Sequence, residues 1–104
     1  MSYYTDYSLT VKNAPEQDAE AFAAYMEDNM PLGRYGDVYG AFDTWYAHEE
    51  DMRELSAQFP NALFALEGHG EEWDDHWIKY FQGGKMQYCP GEIVYPDFDE
   101  SKLT

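Results

Sequence analysis

The stretch NALFALEGHGEEWDDHWIKYFQGGKMQYC, Asn61 to Cys89, decides the fold. Its first part alternates, with Phe64 and Leu66 on one face and Leu63 and Ala65 on the other, the period of a β-strand. HWIKYFQ, His76 to Gln82, repeats that pattern, and the acidic EEWDD between the two runs reads as their connection. Gly83-Gly84 then separates two β-rich runs, a two-residue hairpin signal that returns KMQYC as a further strand. Three consecutive antiparallel strands are therefore predicted here.

Working outward, YYTDYSLTVK (Tyr3 to Lys12) is also period two, with Tyr3, Tyr7, Leu9 and Val11 opposite Asp6, Ser8 and Thr10. NAPEQDAEAFAAYMEDNM follows as a helix. Pro15 and the acids Glu16 and Asp18 suit its first turn, and Ala19, Phe22, Ala23, Met26 and Met30 form its apolar stripe. PLGRYGDVYG, with three glycines, reads as irregular, and AFDTWY (Ala41 to Tyr46) as a strand. HEEDMRELSAQFP is a second helix: Glu49, Glu50 and Asp51 sit at its positive end, Met52, Leu55 and Phe59 on its buried stripe, and Pro60 stops it. EIVYP is expected to pair on a sheet edge. The order β-α-β-α-β-β-β makes the class α+β: a mostly antiparallel sheet of four to five strands, two helices packed on one face, and an aromatic and acidic face left free.

The 104 residues are expected to form a single domain spanning residues 1–104, and 44% apolar with 18% aromatic content marks a folding sequence. Cys89 is the one cysteine, so no internal disulfide framework exists, in keeping with a reducing cytoplasm. No run approaches membrane length, and the N-terminus lacks the pattern of a signal peptide. Twenty-one Asp and Glu against six Lys and Arg give a formal net charge of −15. That field opposes direct binding to nucleic acid or an anionic membrane and favours a basic protein partner.

His48, His69 and His76 with Glu67, Glu71, Asp74 and Asp75 are metal-ligand types, yet no zinc or EF-hand spacing joins them, and only a loose hard-cation pair at Glu71 and Asp75 is conceivable. Catalysis by a carboxylate pair needs a pocket that desolvates one acid, and here the acids are crowded with only Trp73 as a shield. Phosphate loops are absent too. The sequence accordingly assigns no catalytic, cofactor or metal residue; the alternative is a metal-dependent or acid/base hydrolase centred on His69 and His76. The favoured site is a partner-binding surface made of Glu49, Glu50, Asp51 and Glu54 from the second helix and Glu71, Glu72, Trp73, Asp74 and Asp75 from the acidic connection, because carboxylates pair with guanidinium and ammonium groups while aromatics stack on them.

The run Trp45 to Gln87, with HEEDM, LEGHGEEWDD and YFQGGK, resembles a domain of small phage and mobile-element proteins. In size and acidity the chain is similar to phage inhibitors that mimic nucleic acid, anti-CRISPR proteins among them. The resemblance implies an inhibitor that blocks the basic nucleic-acid-binding surface of a host defence protein such as a CRISPR effector subunit.

Overall fold

A computed structural model describes residues 2–36, 38–92 and 94–104. Among them the strands are β1 (Thr5–Lys12), β2 (Gly33–Tyr35), β3 (Val38–Asp43), β4 (Leu63–Gly70), β5 (His76–Gln82) and β6 (Lys85–Pro90). The helices are α1 (Ala19–Asn29), preceded by the 3-10 turn Glu16–Asp18, and α2 (His48–Gln58). The strands join as one antiparallel sheet in the order β2-β3-β1-β4-β5-β6. The class is α+β as expected, with six strands where four to five were expected.

The extra strand comes from the glycine-rich stretch that reads as irregular. Arg34 pairs with Tyr39 and Tyr35 with Val38 in a short hairpin, and Gly36 at φ +63° provides the left-handed backbone of its turn. AFDTWY is a strand only to Asp43. The Asp43 carboxylate accepts the Thr44 N–H at 2.7 Å, Tyr46 N–H bonds back to Thr44 C=O, and this corner swings Trp45 into the core. Phe42 and Tyr46 are left exposed. EIVYP forms no strand among its described residues, and Ile93 lies outside them. Gly83 and Gly84, at φ +57° and +80°, make the two-residue β5–β6 turn as expected, since that turn needs positive φ at both positions.

Register settles the faces. Leu9 stands opposite Leu66 and Tyr39, Phe64 opposite Phe81, and Gly68 opposite Trp77, so these side chains share one face. Leu9, Phe64, Leu66 and Phe81 are fully buried there under the helices. From α2, Met52 and Leu55 close over that face, and the Ser56 hydroxyl accepts the Gly84 N–H at 2.9 Å. α1 is held more lightly: Met26 is buried, while Phe22 packs edge-on against Tyr39 and Phe59. Ala19 and Ala23 of the expected stripe are exposed, because an alanine is too short to reach a sheet that the larger Phe22 and Tyr25 hold off. Among the described residues no helix covers the opposite sheet face, where Asp6, Thr10, Phe42, Glu67, His69 and His76 are exposed.

Candidate functional site

The start of α2 and the β4–β5 connection lie at one end of the sheet. The N-terminal segment ties them together. Tyr3 N–H donates to the Tyr46 hydroxyl at 2.8 Å, and Tyr3 OH donates to Asp75 Oδ2 at 2.6 Å while accepting the Glu72 N–H at 3.2 Å. Tyr4 N–H donates to the Glu71 carboxylate. Gly70 N–H to Asp75 C=O and Asp75 N–H to Glu72 C=O close the turn itself. Trp73 rides on this pinned turn with 72% of its surface exposed. The Asp75 carboxylate, holding the Tyr3 proton, pushes that phenol above its ordinary pKa.

The start of α2 is anchored by a polar cluster that sequence reasoning missed. Lys79 of β5 points to the helix-covered face and is buried, with its Nζ 2.7 Å from His48 Nε2 and 2.8 Å from Glu49 Oε2. The ammonium also lies 4.3 Å from the Trp77 ring centre, a cation–π contact. Because Lys79 can only donate, His48 Nε2 is the acceptor, and Nδ1–H is left to donate to Trp45 C=O at 3.0 Å. The imidazole is therefore neutral. It stacks on Trp77 at 5.1 Å, and burial, with the Lys79 charge adding, holds it below the ordinary histidine value. Lys79's hydrogen bond holds the Glu49 carboxyl below the usual range. Tyr7 OH donates to Trp45 C=O at 3.1 Å, and Trp45 Nε1–H donates to Asp51 Oδ2 at 2.7 Å. One clue lay in the sequence: Lys79 alternates in phase with Trp77 and Phe81, and a lysine on a buried strand face needs partners.

The expected site residues thus separate. Glu49, Asp51, Glu71 and Asp75 are spent on internal bonds to Lys79, Trp45, Tyr4 and Tyr3. Glu50, Glu72 and Asp74 are exposed around Trp73 and α2's first turn. Glu54 is exposed a turn further along α2 towards α1, where, after burial, its charge raises the Tyr25 phenol. Glu49, Glu50 and Asp51 stand in the first turn of α2 with Glu54 one turn further along it, and Glu71, Glu72, Trp73, Asp74 and Asp75 form the β4–β5 connection.

His69 and His76 are a cross-strand pair on the uncovered face, exposed, with stacked rings 4.2 Å apart. His69 Nε2 lies 2.8 Å from Glu67 Oε1. Both rings are open to water. Among the described residues no three His, Cys, Asp or Glu side chains are grouped to hold a metal ion. No helix among them is long and apolar enough to cross a membrane. The chain matches no protein-family model, no curated protein and no solved structure.

Proposed function

We propose that the protein is an acidic, non-enzymatic inhibitor that occupies a basic nucleic-acid-binding surface of another protein in the cytoplasm, in the manner of phage anti-CRISPR proteins that act by DNA mimicry. The observation that carries this reading is the acidic turn Glu71 to Asp75, pinned by Tyr3 and Tyr4 and presenting Trp73 among carboxylates that make no ion pair among the described residues. A preorganised charge cluster loses little entropy on binding, and an exposed tryptophan ringed by acids suits an arginine-rich groove. The net charge of −15 adds long-range steering towards such a groove.

The working residues in this account are Glu50, Glu72, Trp73 and Asp74. Glu49, Asp51, Glu71 and Asp75 position them, so reversing the latter would damage the scaffold as well as the surface. The test is capture of a basic nucleic-acid-binding protein from host lysate on the immobilised protein, followed by elution with duplex DNA. Wild type is expected to retain the target and DNA to release it, while Glu50→Lys/Glu72→Lys/Asp74→Lys retains none. Equal retention by that triple variant would overturn the assignment.

A further inference from the structure

The uncovered sheet face carries a trough that crosses the strands. One depression of about 450 Å³ is lined by Asp6, Ser8, Tyr35, Val38, Gly40 and Phe42. A smaller one of about 160 Å³ joins Asp6 and Ser8 to Glu67 and His69, and a third of about 320 Å³ continues past His76 and Ile78 to Cys89. The three share residues and run from β2 to β6. Among the described residues their lining holds two carboxylates, Asp6 and Glu67, and no lysine or arginine; one oxygen of Glu67 meets His69 Nε2 at 2.8 Å and the other is left for a guest. Flat rings flank the acids: Tyr4 stacks on Phe42 at 5.2 Å on one side, and His69 stacks on His76 at 4.2 Å on the other. Tyr35 and Phe42 are 72% and 69% exposed.

We propose that this face is a second binding surface, for an extended arginine-bearing segment of a protein partner lying across the strands. The inference rests on the reading that the partner is basic. Asp6 stands opposite His69, and Glu67 is two residues along β4, so the carboxylates are diagonal neighbours about 7–8 Å apart. Across the strands the two acids are only one strand spacing, ~4.8 Å, apart and are offset to either side of the trough, so arginines leaning to opposite sides of the segment reach one each. Six strands at ~4.8 Å make the trough about 24 Å long, room for seven extended residues. Arginine rather than lysine is specified because a planar guanidinium bonds a carboxylate with two N–H groups while lying against Tyr35 or Phe42. A second copy of this chain is disfavoured as occupant, since it would bring the same acids against these.

The test uses a fluorescent peptide of alternating Arg and Ser, nine residues long, and its Lys-Ser twin, titrated with the protein at about 0.15 M salt. The arginine peptide is expected to bind at least about fivefold tighter than the lysine twin. Asp6→Asn/Glu67→Gln is expected to weaken it about tenfold. Glu20→Gln/Glu27→Gln removes the same charge from the exposed side of α1, away from both surfaces, and should change it less than twofold. Tyr35→Ser/Phe42→Ser should abolish the arginine preference. Equal binding of the two peptides, or equal loss from the two charge-removing pairs, would overturn the proposal and leave only the general field. Failure of the acidic-end reading would show instead in the Glu50, Glu72 and Asp74 reversal, which this peptide readout does not use.

Discussion

Gly68 is the position at which one methyl group should do most damage. It faces Trp77 across the β4–β5 pair, and a Cβ there would overlap the indole ring at three of its carbons. The indole cannot slide aside freely. It is 9% exposed, stacks on His48 at 5.1 Å, meets Tyr7 edge-on at 6.2 Å and carries the Lys79 ammonium at 4.3 Å. Overpacking a core costs roughly 1–3 kcal/mol, and each disturbed aromatic pair adds about 0.5–1.5 kcal/mol. Loss of chain entropy in the unfolded state returns about 0.4–1 kcal/mol when glycine becomes alanine. Gly68→Ala should therefore destabilise by about 2–3 kcal/mol, lowering the unfolding midpoint by roughly 10–20 °C for a domain of this size. Thermal unfolding followed by near-ultraviolet circular dichroism measures this, and Trp77→Phe in the same chain should recover part of the loss. A midpoint within about 2 °C of wild type would refute the packing of Trp77 on Gly68, and with it the seat of the His48 and Lys79 cluster.

Stability should fall on acidification in two steps. His48 is held below its ordinary value near 6.5, so the unfolded chain binds the extra proton first; its contribution is complete above pH 6.5 and lost as pH falls through that value towards the lowered folded pKa. Glu49, held below 4.5, contributes fully above that pH and loses its share as pH falls through its lowered folded value. Unfolding midpoints across pH 4–8 should show the first descent in wild type and not in His48→Gln; an identical descent in both assigns it elsewhere. Gly84→Ala, at φ +80°, should cost about 1–2 kcal/mol in denaturant melts although its methyl would meet Ala57 Cβ at an unstrained 3.6 Å, and no loss would contradict the turn. Tyr3→Phe should leave the core intact yet speed hydrogen exchange at the Glu72 amide, which donates to the Tyr3 hydroxyl; unchanged protection would deny that Tyr3 pins the acidic turn.

β4 and β5 were legible because each has one buried face, so period two is written directly into Phe64, Leu66, Trp77 and Phe81, and β6, with no buried residue, was legible from the Gly83-Gly84 turn before it. α2 was equally plain, with acids at its positive end and Met52 and Leu55 on one stripe. The β2–β3 hairpin was not, because Gly33 to Tyr35 is a short exposed edge whose residues carry no burial signal. AFDTWY misled because aromatics occupy both phases, and only the Asp43 corner decides that Trp45 goes inward. At the site, residue types showed where acid is abundant and not which acids are spent. Glu49 is engaged by Lys79, 30 residues away, and Asp75 by Tyr3, 72 residues away, pairings that depend on the sheet order.

Whether free carboxylates around Trp73 meet a basic protein surface is read from association with the captured target over a range of salt. Affinity should fall steeply as salt rises, Trp73→Ala should weaken binding by at least about tenfold, and Glu50→Lys/Glu72→Lys/Asp74→Lys should weaken it by about a hundredfold or more with an unchanged unfolding midpoint. Salt-independent binding that survives the triple reversal would contradict that contact.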